Sequence, residues 1–108
     1  MSKKKLDLSQ FEYVGSFGVD SGQAMVGDPC YLESWSTDEG KDWNPDGHAG
    51  EYSYQGACHA TLSDKQSGVL GFSSAVVFAT GYGDGIYPVY TLTNSEGRIV
   101  KVLIDFDE

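Results

Sequence analysis

The chain has 108 residues, 40% apolar and 21% charged, a balance typical of globular domains and long enough for one core without disulfide or metal staples. Its net charge is −9, and three of its seven bases, Lys3, Lys4 and Lys5, sit together at the N-terminus. The rest of the chain therefore lacks the clustered Lys and Arg that hold phosphates, which argues against nucleic-acid binding. No apolar run approaches the ~20 residues of a membrane span, and "MSKKKLDLSQ" has no apolar stretch after its basic start. The expectation is a cytoplasmic protein without membrane contact.

In chain order, residues 1–10 read as a flexible lead-in to one β domain over residues 11–108. "FEYVGSFGV" (11–19) alternates Phe11, Tyr13, Gly15, Phe17 and Val19 on one face, the period of a half-buried strand. "QAMV" (23–26), after a "DSG" turn, reads as a short return strand. Asp28 and Pro29 suit the N-cap and first position of a single helical turn, since aspartate accepts free amide hydrogens and proline has none to satisfy, and a tight turn fits them equally. Residues 50–62 alternate again, with Tyr52, Tyr54, Gly56, Cys58, Ala60 and Leu62 on one side, and predict a strand. "GVLGFSSAVVFAT" is rich in β-branched and aromatic residues, with Gly68 and Gly71 marking a bulge or bend. "IYPVYTLT" and "RIVKVLIDF" flank "NSEG", the strongest hairpin signal in the chain. The alternation places Val100, Val102, Ile104 and Phe106 inward, with Lys101 and Asp105 outward.

Between these elements lies "SWSTDEGKDWNPDGHA" (34–49), which has no period yet carries both tryptophans, Trp35 and Trp43. Aperiodic loops of this length in compact domains usually bind something or lack order, and indoles are costly to leave in water unused. It reads either as a surface loop pinned by its indoles against the sheet or as a binding loop, and it is the leading binding candidate.

The other candidates are weaker in chemistry. "TGYGDGIYPVY" (80–90) has G-x-G-x-G spacing and is followed by a strand pattern, so no helix N-terminus exists to hold a pyrophosphate. It reads as a turn at Asp84-Gly85 needing positive φ, with Pro88 marking an edge strand. Cys30 and Cys58 read as reduced, buried thiols, although their pairing stays open. With His48 and His59 they lack zinc spacing, and Asp20, Asp28, Asp84, Asp105 and Asp107 do not form a calcium loop, so neither metal nor cofactor is expected. "VDSG" (19–22) has the Asp-Ser-Gly form of dimeric aspartic proteases, with Asp20 as the carboxylate and "VLG" (69–71) as a later apolar element. Gln23 and Gly18 depart from that pattern.

Two stretches, "VGSFGVDSGQAMVGDPCYL" (14–32) and "AVVFATGYGDGIYPVYTLTNSEGRIVKVLIDFD" (75–107), together resemble a family of small uncharacterised proteins from bacteria and their phages, classed as a domain of unknown function. The shared features are V-D-S-G…D-P-C-Y and G-D-G-x-Y-P-V-Y. The resemblance implies a compact β fold and a bacterial or phage origin, the host cytoplasm if phage-encoded, and brings no activity.

The sequence thus predicts an all-β single domain, a sandwich or partly closed barrel of antiparallel strands with at most one short helical turn. The expected function is that of a non-enzymatic binding protein, monomer or homodimer, engaging a protein partner or a small molecule. Its expected contact residues are Trp35, Trp43, Asp20, Asp28, Asp84, Tyr82 and Tyr87. The enzymatic alternative is a hydrolase, either aspartic-protease-like through Asp20 or a divalent-metal enzyme through Asp20, Asp84 and Asp105. A structural reading, an assembly component using the edge near Pro88, stands behind both.

Overall fold

The structure is a computed structural model that describes residues 8–37 and 48–107. The chain is all-β in class: among the described residues, six strands form two antiparallel three-stranded sheets, accompanied by one short α-helix and two 3-10 segments. The residues divide into two compact units, one built from both chain ends (up to Val19 and from Gly85) and one from Asp20–Asp84.

The first unit holds β1 (Glu12–Val19), β5 (Gly85–Thr93) and β6 (Ile99–Ile104) in the order β1-β5-β6. The β5–β6 connection is the hairpin that "NSEG" announces. The Asn94 side chain accepts from the amides of Glu96 and Arg98, and Gly97 supplies a positive φ of 79°. Two expectations fail here. A register shift between Tyr13 and Gly15 interrupts the alternation of β1, so Tyr13 pairs with Tyr90 while Phe17 pairs with Tyr87. Tyr87 and Tyr90 point to opposite faces, and so do Tyr13 and Phe17. In β6, Val100 and Val102 are exposed, whereas Asp105 is half-buried. β6 is an edge strand with a second register shift opposite Leu92 and Thr93, so apolar alternation is not matched by burial.

Pro88 also lies elsewhere than expected, on the central strand. The sheet tolerates it because the Pro88 carbonyl accepts from the Asp105 amide, just past the last β6 pair, Val89 with Ile104. In an antiparallel ladder a residue's N–H and C=O point the same way, so the missing donor faces the place where β6 has ended.

The second unit holds β2 (Gln23–Gly27), β3 (Ser67–Leu70) and β4 (Ala75–Ala79) in the order β2-β4-β3, with α1 (Tyr54–Thr61) packed on β3 and β4. β2 does not return on β1; it pairs with β4, Gln23 opposite Ala79 through Gly27 opposite Ala75. The strand expected over residues 50–62 is a helix. Ser53, fully buried, caps it by accepting from the Gly56 amide at 3.0 Å. Gln55, Gly56, Ala57 and Ala60 form its buried stripe. Most of that stripe is glycine and alanine, whose weak hydrophobicity let the alternating tyrosines dominate the sequence pattern. Their small size sets the packing distance: a Cβ on Gly68 would lie 2.9 Å from that of Ala60. Leu70, Val77, Ala75, Ala57, Ala60 and Tyr52 make the core, with Trp35 packed against it.

Asp28 and Pro29 act as foreseen. The Asp28 side chain accepts from the Cys30 amide at 2.9 Å, Pro29 follows, and a 3-10 helix runs over Pro29–Ser34.

Candidate functional site

The β3–β4 hairpin closes with Leu70 opposite Ala75, leaving Gly71-Phe72-Ser73-Ser74 as its tip. The Ser74 amide donates to Leu70 O at 3.0 Å, and the turn needs positive φ at Gly71 (64°) and Ser73 (66°). At Gly71 glycine meets this demand without strain and also makes room, since a Cβ there would lie 2.8 Å from Ser74 Oγ. Between the two left-handed residues the Phe72 side chain stands fully in solvent, at 104% relative exposure. Next along the hairpin Val69 pairs with Val76, and Val76 with Val26, so one face of the sheet carries a row of three valines. All three are exposed. The opposite face, with Leu70, Ala75 and Val77, is the one buried in the core.

The same end of the sheet gathers two residues expected to bind. Gly27 pairs with Ala75, so Asp28 leaves β2 beside the hairpin tip, and the 3-10 helix that it caps delivers Trp35. The Trp35 indole meets Tyr52 edge to face at 5.0 Å, and the Gly71 amide donates to Gly50 O at 2.8 Å. The Ser36 amide donates to Tyr52 O, placing residues 35–37 and 48–53 side by side. His48 Nδ1 lies 3.3 Å from Glu51 Oε2 in the returning segment. Trp35 is half-buried and therefore serves packing as well as any contact. Trp43 falls outside the described residues.

Asp20, Tyr82 and Asp84 lie at the opposite end of this sheet, all exposed. There the buried Thr80 joins two turns: its amide donates to Gly22 O at 3.0 Å, and its hydroxyl donates to Gly83 O at 2.6 Å. Positive φ belongs to Gly22, Gly81 and Gly83, not to the Asp84-Gly85 pair, and Gly85 already begins β5. The Asp-Ser-Gly glycine thus has a structural task. Tyr87 is buried in the other unit, edge to face with Phe106 at 5.0 Å.

That first unit carries a cleft of about 160 Å³ lined by Leu8, Phe11, Tyr90, Leu103 and Asp105. Its wall begins at a 3-10 turn over Leu8–Gln10, which the Phe11 amide closes by donating to Leu8 O at 3.1 Å. Tyr13 and Tyr90 meet edge to face at 5.8 Å on neighbouring strands.

The sequence reading missed Phe72 and the cleft. Phe72 had a signal, an aromatic between Gly71 and a Ser-Ser pair, which is turn composition with the wrong residue in it. The cleft had none, because its residues come from distant segments.

Among the described residues, no group of three or more His, Cys, Asp or Glu side chains is placed to hold a metal ion. Cys30 and Cys58 are both free, and Cys30 is exposed rather than buried as expected. On α1 one acid–base group is displaced. The Tyr54 phenol is held above its ordinary value of 10.0, first by a hydrogen bond to Cys58 one turn on, then by that group's charge and by burial.

No helix among the described residues is long and apolar enough to cross a membrane. Neither a curated protein nor a solved structure matches the chain. A family model does, over residues 2–104, and its description is a protein of unknown function. The chain belongs to that family, DUF4241.

Proposed function

We propose that this chain is a non-enzymatic interaction protein that engages a protein partner through the β3–β4 hairpin end of its second unit. The observation that carries the reading is Phe72, a fully exposed aromatic at the tip of the hairpin whose strands bear the exposed Val69 and Val76, with Val26 paired to Val76. A large aromatic held in water next to an apolar sheet face is the composition of a contact surface, where aromatics supply most of the binding energy. Asp28 leaves β2 at the same end of the sheet. The net charge of −9 favours a partner with basic character over an anionic bilayer, which would repel the chain.

The two free thiols, one exposed, fit a reducing compartment and support the cytoplasmic address. Bacterial or phage origin rests on the motif resemblance. Because Gly22 works in the Thr80 clamp, the Asp20 turn is not read as catalytic.

The test is a photo-crosslinking residue at position 72, with the same residue at Thr93 as control, in cells that express the chain. A discrete adduct at 72 and none at 93, lost in a Val26→Thr/Val76→Thr background, supports the reading. Equal labelling from both positions, or none from 72, overturns it. An adduct of twice the chain mass makes the partner a second copy and overturns the choice of a different protein.

A further inference from the structure

We propose that the cleft of the first unit is a binding site for an alkylammonium group, and that its occupant is a lysine side chain of a protein partner. Four of the five lining residues, Leu8, Phe11, Tyr90 and Leu103, offer an apolar and aromatic wall, and the fifth, Asp105, adds a carboxylate. Asp105 is half-buried, so its charge acts where water screens it less than at the open surface. Its position is fixed from both sides: its amide donates to Pro88 O at 3.3 Å, and its Oδ1 accepts from the Asp107 amide at 2.9 Å. Asp105 takes part in neither of the two ion pairs of the described residues, His48–Glu51 and Arg98–Glu96. One carboxylate oxygen thus remains for an incoming donor.

Charge and lining select the ligand. The cleft takes about 160 Å³, well beyond the space one water needs. A lysine side chain brings methylenes for the wall and a compact ammonium for the carboxylate. Aromatic rings in the lining add cation–π attraction. A guanidinium matches a carboxylate best through both oxygens, of which Oδ1 is already taken, and a neutral alkyl chain leaves Asp105 without a partner. The chain's net charge of −9 draws a basic partner towards the cleft. The site lies in the unit that does not contain Phe72, and it does not depend on the hairpin reading.

The experiment is an amide-resolved NMR titration of the full chain with N-acetyl-lysine methylamide. The norleucine analogue and n-butylammonium serve as comparison probes, and wild type is set against Asp105→Asn. The expected result is saturable shifts at Tyr90, Leu103 and Asp105 in the millimolar range for the lysine probe. Asp105→Asn, with its spectrum otherwise native, is expected to weaken binding about tenfold or more. A second variant, Leu103→Ala, keeps the charge and is expected to weaken the lysine probe less. Equal binding of the norleucine probe, unchanged binding by Asp105→Asn, or no shift with any probe overturns the site. Tighter binding of n-butylammonium than of the lysine probe overturns the peptide occupant in favour of a free amine. Binding that emerges only in a Lys3→Ser/Lys4→Ser/Lys5→Ser variant places the chain's own lysine in the cleft and overturns the partner assignment.

Discussion

The two sheets have the same number of strands and very different interiors. In the second unit, Leu70, Val77 and Ala75 lie under a helix whose glycine and alanine face lets it approach closely, and all three are buried almost completely. In the first, Ile86, Ile99, Val100 and Val102 are exposed, and the buried residues among those described are Val19, Tyr87 and Thr91. Ring pairs do part of the work there, Tyr87 with Phe106 and Tyr13 with Tyr90. Apolar content therefore does not decide where the core forms. A covering element does, and it must carry small residues at the contact.

That contrast can be broken at its strongest point. Leu70→Ala is expected to cost about 3 kcal/mol, the range for leucine truncation in a packed core. Val102→Ala, at a site 61% exposed, is expected to cost well under 1 kcal/mol. Urea unfolding of both variants reads the difference, and similar midpoints would dissolve the distinction between the units.

Gly56→Ala sharpens it further. In an ordinary helix this exchange stabilises by about 1 kcal/mol. Here a Cβ at Gly56 would collide with the backbone carbonyl of Glu51, so the sign is expected to reverse, with a loss of about 1–3 kcal/mol. A rise in melting temperature would contradict the close approach of the Glu51 backbone to the start of α1. Ser53→Ala comes next, about 1 kcal/mol for the loss of a buried cap. Asp28→Ala, an exposed cap on a short 3-10 helix, is expected to cost about half as much in the same melts.

The smallest effect is on pH. Because the native state raises the Tyr54 pKa, the folded chain holds that proton more tightly than the unfolded chain does. The resulting stability is complete below 10.0 and drains away as pH climbs through the raised value. Tyr54→Phe should flatten the alkaline limb of the stability profile slightly, since the residue is half exposed. Cys58→Ala should move the phenol titration back towards 10.0.

Strands were legible where side chains of strong β preference sit between unambiguous turn residues. The 85–104 hairpin, β2 and the Asp28-Pro29 cap all emerged from local chemistry. What failed was non-local. The period-2 pattern of residues 50–62 hid a helix because the residues that bury, Gly56, Ala57 and Ala60, carry almost no hydrophobic signal. Alternation does not reveal the inward face of β6, because burial depends on what covers a strand, and Pro88 sits on a central strand because β6 ends beside it, a length not written next to the proline. Of the proposed contact residues, Asp28 and Trp35 share one end of a sheet with Phe72. Asp20, Tyr82 and Asp84 share the other, a separation set entirely by the pairing of β2 with β4.

The order of the segments has a temporal consequence. The second unit is continuous in sequence, whereas β1 finds its partner only in β5, Val19 opposite Gly85 and Glu12 opposite Thr91. On a ribosome, the helix-covered sheet has every strand it needs once residue 84 has emerged, while β1 waits with both hydrogen-bonding edges open. Contacts this distant in sequence are slow to form and leave nascent strands exposed to other chains. The acidic chain's own repulsion from its copies is then a safeguard during synthesis.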